Sequence, residues 1–474
     1  MLTKGFICDI FIVVIFYSGD IMKFYQITDL HYYPVREMNA SGKEWETRAA
    51  YDQKCIAESE AIIDATIDFL LKDADTDIVL VSGDNVCDGE LVGHLSLQKK
   101  LRRLTDGGKR VFVLTGTHDL HPEPKAYSAE RGEYVTEGCT REELIEIYGE
   151  FGYNDAIARH PDTFSYVSKL NDSTRLLVLN DDGIGFEDGF HGYFQPQLRW
   201  IKEQLQAGKD SGDRMLVMGH HPLLPPSPFY AFYCKDQMLG DCEKMAELFA
   251  SYGVHFYISG HTHMQNIAYL DAKCGSRIYD INTASLISYP SPIRKMELAD
   301  DSMTVKTYHI DHMDYDQRSM GYMQYLREHF QFMLKDILYS AAHDIDRFCE
   351  LSESFSLPKE KAKKLAVPIN ILGKILDSLT FKKAGILLGC KSKIAPRMYD
   401  TKLADFIITL VTNMYGGDEP FAPGTAEYDS FMAIYSRIAP LVHKVLGSDE
   451  IDAVIRGVLY DSGYPDSDAV LPIK

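Results

Sequence analysis

The 474-residue chain is 45% hydrophobic and 25% charged, an ordinary globular composition, long enough for one large core and a smaller second domain. A formal net charge of −20 excludes a nucleic-acid polymer as the expected partner, since such binding draws on lysine and arginine stripes. It leaves open a small phosphorylated substrate at a site that carries its own cations. The nine cysteines form no CxxC pair and no tight cluster, which excludes a disulfide framework or zinc ribbon and suits a reducing compartment.

Taken in chain order, residues 1–21 have the outline of a signal peptide, with Lys4 ahead of an apolar run. Asp9 interrupts that run, which also falls short of the roughly 20 residues that span a bilayer. The segment reads as an apolar extension, with cytoplasmic placement expected and export or membrane anchoring through 1–21 as the alternative. From 22 to 312, short apolar runs at 24–28, 77–82, 110–115, 176–180, 215–218 and 255–259 predict buried strands. Between them lie helical patterns: Ile62, Ala65, Thr66, Phe69 and Leu70 mark one face, Thr140 and Glu143 a capping box, and Pro196 the first turn of another helix. The alternation predicts a layered α/β domain. From 313 to 474 the pattern becomes helical, with helices expected at 322–339, 359–379 (broken at Pro368), 402–414, 428–446 and 450–459. The stripe of Tyr322, Tyr325, Leu326, His329 and Met333 reads as core packing, with a lid or a homodimer surface as the alternative.

Five polar motifs sit directly after predicted strands, where α/β folds place ligands. They are Asp29-Leu30-His31, Gly83-Asp84-Asn85, Gly116-Thr117-His118-Asp119, Gly219-His220-His221-Pro222 and Gly260-His261-Thr262-His263. Two close divalent ions need oxygen ligands, imidazoles and a carboxylate that bridges them. Asp29 and His31, two residues apart on an extended exit, can grip one ion, with His263 returning to it. Asp84 is a natural bridge, and His220 and His261 can serve the second ion.

The order D-x-H, G-D, G-N-H-D, G-H-H-P, G-H-x-H resembles the calcineurin-like metallophosphoesterases over about residues 22–310. Within them the chain is most similar to class III cyclic nucleotide phosphodiesterases, through His220-His221-Pro222 and the stretch 283–294. The resemblance implies a four-layer αββα sandwich and a pair of Mn, Fe or Zn ions. Asp29, His31, Asp84 and His263 would hold the first ion, and Asp84, His220 and His261 the second. The family's asparagine in the third motif, a second-metal ligand, is Thr117 here; its hydroxyl is the candidate ligand in that place, with a replacing water as the alternative, so a weaker or differently selective second site is expected.

The expected chemistry is attack on phosphorus by a metal-bridged hydroxide. His118 would protonate the leaving oxygen, oriented by Asp119 or Asp88, with Asn85 and His221 as substrate-contact candidates. The predicted function is hydrolysis of a phosphodiester such as a cyclic nucleotide. The alternatives are a phosphomonoesterase, a nucleotide pyrophosphatase, or a metal-binding module of low activity. Gly385, Gly389, Lys391 and Ser392 approach a phosphate loop with the wrong spacing, in a helical context, and no G-x-S-x-G elbow occurs. Specificity is expected to lie in loops 121–138, 183–194 and 223–240.

Overall fold

The computed structural model describes residues 21–182, 191–352, 357–417, 419–446 and 448–474. The expected apolar segment, apart from its last residue, and most of loop 183–194 lie outside them. In chain order the strands are β1 (Met22–Ile27), β2 (Ile78–Ser82), β3 (Arg110–Leu114), β4 (Lys125–Ser128), β5 (Gly132–Val135), β6 (Ala158–Arg159), β7 (Tyr166–Asn171) and β8 (Thr174–Val178). They continue with β9 (Arg214–Met218), β10 (Phe256–Ser259), β11 (Asn266–Asp271), β12 (Arg277–Asn282), β13 (Ile293–Leu298), β14 (Ser302–Tyr308) and β15 (Ala469–Pro472). One sheet runs β15-β14-β13-β1-β2-β3, the other β11-β12-β10-β9-β8-β7-β6, and β4 and β5 form a hairpin.

The hydrophobic alternation explains why the sheets face each other. Leu176, Val178, Leu216, Met218, Phe256 and Ile258 join the core that contains β1, β2 and β3. The intervening Leu177, Val217 and Tyr257 pack outward with Ile201, Leu205 and Phe249. Successive strand residues point to opposite faces, so these strands bury both sides. Helices Ser59–Lys72 and Leu91–Asp106 cover the first sheet, and Gln195–Ser211 and Cys242–Ser251 the second, giving helix, sheet, sheet and helix layers. Between the sheets, Gln26 donates to Ser82 Oγ and to the Ser259 carbonyl, both at 2.9 Å, while Thr283 donates to Gln26 at 2.7 Å. This polar pin lies just beneath the ends of β1, β2 and β10.

The capping box is formed, with Glu143 N donating to Thr140 Oγ1 and Thr140 N to Glu143 Oε2. Pro196 lies in the first turn of Gln195–Ser211. Helices Tyr322–His343, Leu403–Gly416 and Ala426–Leu446 follow expectation. The expected break at Pro368 falls instead at Leu365, between Lys359–Lys364 and Ala366–Ser378. Pro368 thus occupies the first turn of the second helix, where a missing N–H costs little. Phe381, Phe406, Leu410, Ile434 and Leu459 give the helices a core of their own, whereas Tyr322, Tyr325 and Leu326 belong to the sandwich core. After the helices, β15 pairs antiparallel with β14 at the edge of the first sheet. Gly389 follows helix Phe381–Leu387 with φ +66°, a helix end as expected. The eight described cysteines are all free, and no helix among the described residues is long and apolar enough to cross a membrane.

Candidate metal centre

All five motifs leave the C-terminal ends of parallel strands: β1, β2 and β3 of one sheet, β9 and β10 of the other. Asp29, His31, Asp84, His261 and His263 have φ values of 50°, 35°, 51°, 70° and 55°. Non-glycine residues in this left-handed region cost on the order of 1 kcal/mol or more each, and such strain gathers at functional sites. Gly83 has φ +103°, and a side chain there would run into the His220 ring; one at Gly116 would strike the Asp84 carboxylate. Only glycine lets the two sheets' loops close on one another here.

Two clusters result. His31 Nε2 and His263 Nε2 face each other at 2.9 Å, with Asp29 Oδ1 3.8 Å and 3.3 Å from them. Asp84, His220 and His261 form the second cluster, with donor atoms within 4.8 Å of one another. Asp84 Oδ2 stands 3.2 Å from His220 Nε2 and 3.7 Å from His31 Nε2, between the clusters. Asp29, His31, Asp84 and His220 are essentially sealed from solvent.

The hydrogen bonds aim the rings inward. His220 Nδ1–H donates to the Ser82 carbonyl at 2.9 Å, which leaves Nε2 buried without a hydrogen-bond partner beside a carboxylate. Gln53 Oε1 lies 3.0 Å from His263 Nδ1, and Gln237 Oε1 3.2 Å from His261 Nε2. Burial, with neighbouring positive groups, pushes His31 and His261 well below the usual imidazole range, so their lone pairs are available. Burial works against the Asp84 charge, but His220, His118 and His31 around it hold its carboxyl well below the ordinary range. Imidazoles with unpartnered buried nitrogens at His31, His220 and His261, converging on the Asp29 and Asp84 carboxylates, are a donor set that fits divalent cations.

The remaining sequence candidates divide. Thr117 Oγ1 is 3.4 Å from Asp84 Oδ1, which also accepts from His118 N at 2.8 Å. The His118 ring packs edge-on against His31, and its Nδ1–H donates to the Cys87 carbonyl at 2.6 Å, with Asp88 Oδ1 3.7 Å away. Burial opposes charge on His118, yet Asp84 and Asp88 raise it above the usual range. Asp119, expected beside His118, is placed elsewhere. Its two oxygens accept from Asn85 N, Val86 N, Asn85 Nδ2 and Gly116 N at 2.7–3.0 Å, which fills its acceptor sites and ties the β2 turn to the β3 turn. Asn85, expected at the substrate, is fully buried with its amide turned to Asp119 and the Leu114 carbonyl. His221 is also fully buried, stacked on His191 at 3.9 Å and bonded through Nδ1 to Asp181. The stretch 283–294 supports the site from below: Ser285 donates to the Asp29 carbonyl and Leu286 N to the Thr28 carbonyl.

Sequence reasoning missed Asp181, which accepts from His220 N, His221 N and His221 Nδ1 at 3.0–3.2 Å. It directly follows a predicted strand, the same rule that found the five motifs. Gln53 and Gln237 carried no such signal, because both come from connecting segments rather than strand ends. Arg48, which holds Asp88 at 2.7 Å, comes from helix Lys43–Tyr51.

A family model described as calcineurin-like phosphoesterase matches residues 22–265. Among curated proteins none matches by sequence. A dimetal phosphatase from Danio rerio is a structural neighbour at 14% identity and a TM-score of 0.44, over 62% of this chain and 97% of that one. A purple acid phosphatase from yellow lupin follows at 12% and 0.37, over 61% of this chain and 52% of that one. A 5'-nucleotidase precursor from Thermus thermophilus aligns at 13% and 0.35, over 67% and 59%. With two acid–histidine clusters at the strand ends and a family match over more than half its length, the chain belongs to the calcineurin-like phosphoesterases, a family of metal-dependent phosphoester hydrolases that work with two ions.

Proposed function

We propose that this chain hydrolyses a phosphodiester, with a cyclic nucleotide as the substrate class, in a centre that holds two divalent ions. Asp29, His31, Asp84 and His263 would hold the first ion, and Asp84, His220 and His261 the second, with Mn, Fe and Zn all compatible with this oxygen and imidazole set. The observation that carries the reading is Asp84 Oδ2 standing between His31 and His220. When bound, such ions neutralise phosphate charge and acidify water.

The chain's own part is positioning and proton transfer. His118 has its Nδ1 proton committed to the Cys87 carbonyl, so Nε2 is the nitrogen left to hold and release a proton. Asp88, gripped by Arg48, steadies that ring's charge, and the half-exposed His118 is the reachable edge of an otherwise buried cluster. The alkoxide leaving group of a phosphoester profits from such a proton, and the diester reading is supported by the likeness of His220-His221-Pro222 and the stretch 283–294 to class III cyclic nucleotide phosphodiesterases. Asp119 and Asp181 would act through the loops they bind, and Thr117 through its contact with Asp84.

The test is turnover of bis-p-nitrophenyl phosphate against p-nitrophenyl phosphate with Mn, Fe or Zn, alongside elemental analysis. Faster diester cleavage is expected. Preference for the monoester would replace the diester reading, and no cleavage of either would favour a metal-binding module in which Thr117 has disabled the second ion.

A further inference from the structure

The segment between helix Lys43–Tyr51 and residue 56 crosses the rim of the first cluster. On its inner side, Gln53 accepts from His263 Nδ1–H at 3.0 Å, and Cys55 N donates to the Ile287 carbonyl at 2.8 Å, beneath Asp29. On its outer side it is gripped by the C-terminal helix Tyr322–His343. His329 Nε2–H donates to the Asp52 carbonyl at 2.8 Å, and the Tyr51 ring stacks on Phe332 at 5.6 Å, with Arg347 of the following helix Ile345–Leu351 over the Tyr51 ring at 4.7 Å. A stretch of four residues is thus pinned from both sides.

Lys54 sits in the middle of this stretch, half-buried, its N–H donating to Asp52 Oδ1 at 3.0 Å. Its charge acts on His31 and His118, the two rings that meet edge-on at the heart of the site, and on Asp52, Asp88 and Cys87. The nearby carboxylates are already engaged: Arg48 lies 3.6 Å from Asp52 and 2.7 Å from Asp88. Among the described residues no carboxylate lies within ion-pair distance of the Lys54 ammonium. An uncommitted cation beside two clusters suited to divalent ions adds positive charge that an anion must balance.

We propose that Lys54 binds a phosphate oxygen of the substrate and that helix Tyr322–His343, through His329 and the Asp52 carbonyl, positions it. The proposal rests on the phosphoester reading of the site. It gives the helical region a role in building a centre whose other ligands come from the sandwich.

The experiment is calorimetric titration of inorganic phosphate into Mn-loaded wild type, Lys54→Met, Lys54→Arg and His329→Leu, with bound metal measured in each. Loss of one charge-assisted hydrogen bond predicts phosphate affinity about 10- to 100-fold weaker in Lys54→Met, with most of it restored in Lys54→Arg and metal content unchanged. His329→Leu should weaken phosphate less, and with a cleavable phosphoester raise KM while holding kcat. No phosphate binding to wild type, equal affinity in Lys54→Met, or loss of metal in that variant overturns the assignment of Lys54. A fall in kcat at constant KM in His329→Leu overturns the positioning role. Phosphate binding is read without turnover, so a wild type that binds phosphate but cleaves no phosphoester sinks the hydrolytic reading and leaves Lys54 in place.

Discussion

The two acid–histidine clusters are built differently. Asp29, His31 and His263 come from the ends of two strands, β1 and β10, and all three have left-handed backbones. Asp84, His220 and His261 come from three strand ends, β2, β9 and β10, and His220 reaches its place without that strain. The first cluster is closed over by Gln53 and its segment. The second lies beside the β3 turn, where Thr117 offers a hydroxyl 3.4 Å from Asp84 in place of the family's amide. The difference teaches that both halves draw on the two sheets and on strained exits, while the second alone takes in an unstrained ligand from β9 and depends on a single neighbouring side chain, Thr117.

The comparison breaks most completely at Asp84, which both halves share. Asp84→Asn is expected to abolish turnover and to weaken both ions, because it removes a full charge from the point between His31 and His220. Metal analysis that still finds both ions bound as in wild type would show that the halves are independent. His118→Ala, outside both proposed ligand sets, should lower kcat by about 10²- to 10⁴-fold with both ions retained, the range for a lost general acid. Unchanged turnover would remove His118 from the chemistry, and lost metal would make it a ligand of the His31–Asp84 group instead.

Thr117→Asn sharpens the contrast with the smallest effect. Restoring an amide should tighten the second ion by about 10-fold or more and leave the first unchanged. Titration giving equal affinity and stoichiometry in the two proteins would mean that the hydroxyl serves as well as the amide, and that the halves do not differ in the way the geometry suggests.

Much of the sandwich was legible in the sequence, because buried parallel strands read as short apolar runs and their ends carry glycine turns. The six expected strands match β1, β2, β3, β8, β9 and β10 within two residues at each end. The edge strand β15 was not legible: Ala469–Pro472 follows a long helical stretch, and only its pairing with β14 makes it a strand. At the site, motif residues could be named from strand-end position, but their neighbours could not. Asp119 and Asn85 sit in motifs and still face inward, binding each other, since backbone N–H groups at two facing turns need an acceptor more than a substrate does.

The sequence by itself determined which side chains stand at the strand ends, because strand periodicity and glycine turns are local properties written in adjacent residues. The tertiary structure alone decided which of them meet. Asp84 and His220 come from different sheets, and Gln53 and Lys54 are held by a helix that begins almost 270 residues later in the chain. Such contacts depend on sheet packing and long-range hydrogen bonds that leave no periodic trace. The clusters that could be read as five separate motifs thus became one centre, and its rim acquired a lysine no motif announced.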